Sequence, residues 1–291
     1  MQLKNQPPWF YVVIAVVFIV LVGIWSGVWQ PKSPESSVVY EEFSTDSRLI
    51  SLPAEEKVEQ EAIPVTGHDK QGLAIILDDV GYSLSAVKRV LALPFPVAIS
   101  ILPSSPFARS AAELTKKANR IVMLHLPMEP ETRHYAGSDD FLLAGMEKDE
   151  FELRVLHELE QVPYIEGVNN HMGSRLTSMR KPMGWLMALL HDRSLFFVDS
   201  RTSKDTVAAE EARLAGLSWA ERRVFLDHDP ESGAIKAAWL GAMQCYRKLG
   251  SCIVIAHPNA ETLTFLENGI TGPDLDAIVP VTNLLQRVQA E

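Results

Sequence analysis

From Leu73 onward, short runs rich in β-branched and aromatic residues alternate with amphipathic segments. Apolar residues in these segments recur at i, i+3 and i+4, the spacing of one helix face. Strands that alternate with helices predict a parallel sheet with helices packed outside it, and seven such units indicate a β/α barrel, complete or incomplete. The predicted strands are 73–77, 97–102, 121–126, 166–170, 195–199, 224–227 and 252–256, with IVPV (278–281) as a candidate for a short eighth.

The N-terminal region contains a membrane signal. Residues 9–29 read WFYVVIAVVFIVLVGIWSGVW, an uncharged apolar run of about the 20 residues that cross a bilayer as a helix. Aromatic residues stand at both ends, as in interfacial belts. The alternative is a cleaved signal peptide, but its apolar core is usually about 7–15 residues long and ends in an A-x-A-like site, which is missing here. We predict a cytoplasmic tip and transmembrane anchor over 1–29, in a single-pass protein of the bacterial inner membrane with its C-terminal domain in the periplasm.

Composition defines the rest of the chain. Residues 30–70 are rich in Pro, Ser and Glu, which predicts a disordered acidic linker ahead of a folded domain at 71–291.

The net charge of -10 argues against a nucleic-acid partner, which needs a basic surface. Cys245 and Cys252 are the only cysteines. A disulfide between them can form in an oxidising compartment, but two buried free thiols are the expectation.

Ionisable and polar residues follow most of the predicted strands. In β/α barrels the chemistry lies at the carboxyl ends of the strands, so these residues are expected on one face. They are Asp78 and Asp79; His125 and Glu129; Asn169, Asn170 and His171; Asp199, Ser200 and Arg201; Asp227, His228 and Asp229; and His257.

Three of these residues make a plausible metal site. Asp79, His125 and His171 offer the N and O ligands that suit zinc or another divalent ion, with a position left for water. Asp78 can take a proton from that water, and His257 can act as a general acid because histidine titrates near neutral pH. Each has a simpler interpretation as a loop or capping residue or a structural hydrogen-bonding group. For residues 227–229, followed by a proline, a solvated loop is the expectation.

The segments ILDDVGYS, ILPSSP, HLPMEP, NNHMGSRLTS, FVDSRTS, FLDHD and IAHPNAET resemble, in this order, the divergent polysaccharide deacetylase family, a remote branch of the NodB-type carbohydrate esterases. NNHMGS with DSRT downstream is the specific part, and the resemblance extends from about Leu73 to Val281. It implies a distorted (β/α)7 barrel of the glycoside hydrolase/deacetylase type. It also implies a divalent metal, by expectation zinc, and hydrolysis of N-acetyl groups on a sugar polymer.

The resemblance also implies roles for individual residues. Asp78 matches the general base, Asp79 the metal-binding aspartate, and His257 the histidine that protonates the leaving amine. His125 and His171 are the candidates for the two metal-binding histidines. Asp199 stands where a residue that orients the base or the substrate is expected, and it joins Asn170 and Arg201 as candidate substrate-binding residues; an ion pair is an equal alternative for Arg201.

Two elements of the NodB pattern are missing. Arg175 and Glu129 stand four residues after His171 and His125, where an H-x-x-x-H turn would supply its second histidine, and there is no Arg-Pro-Pro-Tyr element. The metal ligands must therefore come from separate strands, unless Glu129 takes part. We predict a metal-dependent hydrolase, a deacetylase of N-acetylated envelope polysaccharide or peptidoglycan-type glycan. The alternative is a non-catalytic metal- or glycan-binding envelope protein that regulates cell-wall enzymes.

Overall fold

A computed structural model describes residues 71–132 and 141–287. The predicted transmembrane helix at 9–29 and the predicted linker at 30–70 lie outside these residues. Within the described ranges, no helix combines the length and hydrophobicity needed to cross a bilayer.

Eight parallel strands form one curled sheet, an open half-barrel in the order β6-β5-β4-β3-β2-β1-β8-β7. Neighbouring strands pair in register, as Ile76 with Ala98 and His125 with Asn169 illustrate. The strands are β1 (Gly72–Val80), β2 (Ala98–Ile101), β3 (Val122–Met128), β4 (Ile165–Met172), β5 (Phe196–Asp199), β6 (Trp219–Glu221), β7 (Val224–Phe225) and β8 (Ser251–Ala256).

The predicted barrel of parallel strands is present in its incomplete form, and the predicted number of seven strands is wrong. The three-residue strand β6 is too short to show a period, and the sequence analysis missed it. The segment IVPV is not a strand. Ile278 makes one isolated bridge to Leu73, and a 3-10 turn follows over Val281–Asn283. Since β6 and β7 stand at opposite ends of the strand order, the sheet stays open between them.

The described part of the chain contains eight helices, which lie outside the sheet. Ser83 caps the first by accepting a hydrogen bond from Ala86 N, and Asn259 caps the seventh through Thr262 N, as expected of N-cap residues. The helices are α1 (Leu84–Leu91), α2 (Ala108–Lys117), α3 (Lys148–Gln161), α4 (Arg180–Asp192), α5 (Ala208–Leu214), α6 (Ser232–Leu249), α7 (Ala260–Asn268) and α8 (Pro273–Asp276).

The sheet separates two apolar clusters. The larger lies between sheet and helices and includes Leu73, Ile75 and Leu77 of β1. The smaller fills the inside of the curl, where alternate residues such as Ala74 and Ile76 meet side chains of the C-terminal segment 281–285. Because successive residues of a strand face opposite sides, every strand except β4 contributes to both clusters.

A disulfide joins Cys245 near the end of α6 to Cys252 in β8. The expectation of two free thiols is therefore wrong. The two Cα atoms are 5.9 Å apart, within the range that a disulfide spans. Two cysteines seven residues apart reach this distance because the chain reverses direction between helix and strand.

Candidate metal and catalytic site

Inside the curl, each strand changes from apolar to polar toward its carboxyl end. Along the inward-facing rows, Ile76 is followed by Asp78, Ala98 by Ser100, Met123 by His125, Gly167 by Asn169 and Ile255 by His257. A period of two keeps each pair on one face of its strand. The polar residues therefore form a layer over the apolar interior, at the end of the barrel where chemistry is expected.

A bulge at the end of β1 turns two consecutive carboxylates into this layer. Leu77 pairs with Ile99 and Val80 with Ile101, so β1 has one residue more than β2 across the same interval. Asp79 takes a left-handed conformation with φ 53°, and bulges re-aim side chains in this way. Asp78 and Asp79 are consequently both buried in the site, at 0% and 3% exposure, although an unbroken strand would point them to opposite faces.

Asp79, His125 and His171 converge from three strands. Oδ1 of Asp79 lies 3.2 Å from His125 Nε2 and 3.1 Å from His171 Nδ1, and the two ring nitrogens are 3.2 Å apart. Among the described residues, this is the group of three ionisable side chains whose ligand atoms are close enough together to hold a metal ion.

The donor set fits a divalent ion. Zinc bonds of about 2.0–2.1 Å in a tetrahedron place neighbouring ligand atoms about 3.3–3.4 Å apart, close to the spacing found here. Although two ring nitrogens lie within 3.2 Å of Asp79 Oδ1, no hydrogen bond of acceptable geometry reaches either of its buried oxygens from the described part of the chain, and buried polar atoms left in this way point to an unseen ligand. Burial opposes ionisation, but His171 and His125 outweigh it and hold the pKa of Asp79 well below its usual range.

Asp78 lies behind the three converging ligands. Its two oxygens each accept a hydrogen bond of 2.9 Å from Asn169 Nδ2. Burial raises the pKa of Asp78, against the opposing influence of His125, His257 and the Asn169 amide. The raised pKa makes this carboxylate a stronger proton acceptor than an exposed aspartate.

His257 follows β8 and faces Asp79 from the other side. Its Nε2 lies 3.9 Å from Asp79 Oδ2, and its Nδ1 lies 3.0 Å from Asp227 Oδ1. Asp227 is 3% exposed, so the expectation of a solvated loop is wrong for this residue, although it holds for the exposed His228 and Asp229. The alternation of residues along the strand could have predicted that Asp227 is buried, because Phe225, two positions earlier, packs against the inner cluster.

Three further predicted residues lie beside the site. Asp199 is fully buried and accepts hydrogen bonds from Arg201 N and Thr206 Oγ1, and burial raises its pKa. Arg201 forms an ion pair with Glu221, the alternative left open above. Both residues thus organise the loop after β5, and their contact with substrate stays a prediction.

Asn170 faces away from the ligands. It is fully buried, donates to Met172 O at 2.7 Å and accepts from Ser200 N at 2.9 Å. These bonds brace the strand ends of β4 and β5, and a substrate contact of its own stays a prediction. Its neighbour Asn169 is one of the strand-end residues named from the sequence without a role of its own, and the structure places it at the centre of the polar layer.

Glu129 is held apart from the ligands by other partners. Its Oε1 accepts from Arg175 Nη1 at 2.9 Å and its Oε2 from Ala144 N at 2.6 Å. The alternative ligand therefore has a structural task. In place of a second histidine from an H-x-x-x-H turn, the candidate ligands come one each from β1, β3 and β4.

This half-barrel, with its Asp-His-His cluster, a buried carboxylate and a carboxylate-linked histidine, defines a hydrolase-like β/α protein with a candidate metal centre. The chain belongs to the divergent polysaccharide deacetylase family, whose sequence model matches residues 75–285. The resemblance stated from its motifs is thereby confirmed.

The chain is also similar to uncharacterised proteins of known sequence or structure. The chain is 34% identical over 213 residues to an uncharacterised protein of Haemophilus influenzae, covering 73% of this chain and 76% of that protein. It is 34% identical over 221 residues to the uncharacterised Escherichia coli protein YibQ, covering 75% and 69%. An uncharacterised Agrobacterium tumefaciens protein of known structure superposes with a TM-score of 0.69 at 20% identity, covering 77% and 92%, which shows a shared fold.

Proposed function

We propose that this protein is a metal-dependent deacetylase that removes acetyl groups from N-acetylated envelope polysaccharide or peptidoglycan-type glycan. The observation that carries the proposal is the convergence of Asp79, His125 and His171 around two carboxylate oxygens without hydrogen-bond partners. Membership of a polysaccharide deacetylase family supports the reaction and the substrate class. Zinc is the ion we expect, since it suits one carboxylate and two imidazoles.

Each group has a task in amide hydrolysis. A bound divalent ion would polarise the acetyl carbonyl and make its water a better nucleophile. Asp78 accepts one proton as the water oxygen bonds to the carbonyl carbon. His257, held by Asp227, then delivers one proton to the nitrogen as the C–N bond breaks. The products are acetate and a free amine.

We also infer that the domain works outside the cytoplasm, anchored by the apolar run at 9–29. The disulfide between Cys245 and Cys252 supports this location, because disulfides persist in oxidising compartments such as the periplasm. Fractionation of bacteria, with protease access before and after opening the outer membrane, tests it. Digestion of the domain only after the outer membrane is opened supports a periplasmic location. In right-side-out vesicles of the inner membrane the periplasmic face is exposed, so a domain that resists protease there contradicts this location.

Metal content and acetate release together test the activity. The purified full chain should bind about one zinc ion, and Asp79→Ala should bind none, since it removes one of three protein ligands. Acetate should be released from N-acetylglucosamine oligomers by the zinc-loaded protein, and Asp78→Asn should abolish release while it retains zinc. Full metal content in Asp79→Ala would refute the site.

The complete burial of Asp78 favours a second candidate, a non-catalytic metal- or glycan-binding protein that regulates cell-wall enzymes. In that case the layer of polar residues serves binding and no acetate is released with zinc, cobalt, manganese or nickel. Release that depends on Asp78 excludes this alternative.

A further inference from the structure

We propose that Asn169 is a positioning residue that couples the two halves of the site: one end of its amide orients the metal ligand His125 and the other orients the base Asp78. The inference deepens the proposed function and depends on it for the roles of those two residues. Asn169 itself lies behind both and does not reach solvent, since it is 0% exposed.

The Asn169 amide uses its full hydrogen-bonding capacity. Its oxygen accepts from Ser100 Oγ at 2.5 Å and lies 3.0 Å from His125 Nδ1. Its nitrogen donates to both oxygens of Asp78 at 2.9 Å and to Ser200 Oγ at 3.2 Å. An asparagine amide offers two lone pairs and two N–H groups, so these contacts leave neither end without a partner.

Asp78 determines which way round the amide lies. A carboxylate accepts hydrogen bonds and has none to donate. If the amide were reversed, its oxygen would face both oxygens of Asp78, and its nitrogen would face the Ser100 hydroxyl and His125. The orientation with nitrogen toward Asp78 is therefore the one that satisfies all partners.

This orientation determines which nitrogen of His125 carries the proton. The amide oxygen can only accept, so His125 Nδ1 must donate to it. Nε2 is then left with its lone pair directed at the cluster, where Asp79 Oδ1 lies at 3.2 Å. A metal-binding histidine commonly donates its second N–H to such a partner, which fixes the tautomer and raises its basicity.

The strand register makes this coupling possible. Asn169 pairs directly with His125 across β3 and β4, so both side chains enter the curl side by side. Ser100 and Asp78 come from β2 and β1, the next strands in the sheet. One side chain thus links four neighbouring strands at the level of the site.

Two substitutions separate the two ends of the amide. Asn169→Leu removes both and should weaken zinc binding about 10- to 100-fold, the usual effect of losing a partner of a ligating histidine. Asn169→Asp keeps an acceptor for His125 and replaces the amide donor to Asp78 with a second buried carboxyl group, so the two groups share a proton and Asp78 is no longer available as the base. This variant should retain zinc affinity near the wild-type value while acetate release falls about 100-fold or more. Zinc dissociation constants from chelator competition and acetate assays give these values.

Asn170→Leu is the matched control, because it removes an equally buried amide from the adjacent residue, whose hydrogen bonds go to backbone groups and to Thr202 rather than to His125 or Asp78. It should destabilise the fold to a similar degree and leave zinc affinity within a few-fold of wild type. A direct readout is the ¹⁵N spectrum of the His125 ring at alkaline pH without metal, where the wild type should carry its proton on Nδ1. Asn169→Leu should lose that preference.

The outcomes distinguish this inference from the proposed function. A wild type that binds zinc but shows its His125 proton on Nε2 overturns the role of Asn169 alone. Unchanged zinc affinity in Asn169→Leu, or an equal loss in Asn170→Leu, does the same. A wild type that releases no acetate refutes the deacetylase proposal, while the ring spectrum and zinc affinities still decide the role of Asn169.

Discussion

Replacing Asp227 with asparagine should move the ring proton of His257 from Nδ1 to Nε2, and the variant should still fold. Three donors surround Oδ2 of Asp227: His257 N at 2.7 Å, Asn259 Nδ2 at 2.9 Å and Thr262 Oγ1 at 2.7 Å. One donor, His257 Nδ1, lies at Oδ1. The asparagine oxygen will therefore occupy the Oδ2 position, and its NH₂ group will face Nδ1. That nitrogen must then accept, so the proton moves to Nε2.

The size of the effect follows from this count. Three of four hydrogen bonds survive in Asp227→Asn, and the loss of one bond to a charged group costs about 1.5–3 kcal/mol of unfolding free energy. Activity should fall further, about 100- to 10,000-fold, since the proton donor is no longer oriented by a carboxylate and general acid catalysis contributes on that scale. Urea denaturation and acetate release measure the two effects.

Thr262→Val is the control for this experiment. It removes one donor from Oδ2 and leaves Nδ1 of His257 beside Oδ1, so it should cost similar stability and less than tenfold in rate. The ring ¹⁵N spectrum should show the proton of His257 on Nε2 in Asp227→Asn alone. Near wild-type acetate release from that variant, with the tautomer reversed, would refute the role assigned to His257.

Four further variants test the structure. Gly81→Ala should lose about 2–4 kcal/mol of unfolding free energy, because the new Cβ would lie 1.7 Å from Ser105 Oγ at φ +129°; Gly241→Ala, in open space within α6, should gain about 0.5–1 kcal/mol. Cys245→Ser should lose about 2 kcal/mol, since the disulfide closes a loop across a separation of seven residues, and reductant should destabilise the wild type alone. Asp199→Asn tests pH dependence: because burial raises the folded-state pKa above the unfolded value, the native state holds a proton that the unfolded chain has lost. The wild type should therefore gain stability relative to the variant as pH falls from neutral toward about 4, and parallel pH profiles in urea titrations would contradict this.

The positions of the site residues along the chain could be predicted because parallel strands bring their carboxyl ends to one edge. Asp79, His125 and His171 were assigned together on this basis, and the structure brings them together. Asn170 is predicted from the sequence to bind substrate, whereas Asn169, the residue that contacts Asp78 and His125, receives no role there. Asn169 and His171 are two positions apart and so share a face of β4, which the period could have indicated.

Other features depend on geometry that no local pattern reports. Two adjacent aspartates normally face opposite sides of a strand, and only the bulge against β2 places both in the site. The alternation of the strand through Phe225 turns Asp227 inward, but its contact with His257 depends on how β7 lies beside β8. The disulfide needs Cα atoms 5.9 Å apart, a distance set by how α6 packs on β8.

The alternation of strands and helices, the apolar and polar ends of the strands, and the chemical types available at the site can all be read from the amino-acid sequence. These properties are local, since they depend on the period of the chain and on side-chain chemistry. The open edge of the sheet and the contact between Asp227 and His257 are visible only in the folded domain. The folded domain also places Asn169 between Asp78 and His125. Those outcomes depend on contacts between residues tens of positions apart, whose distances are set by the curl of the whole sheet.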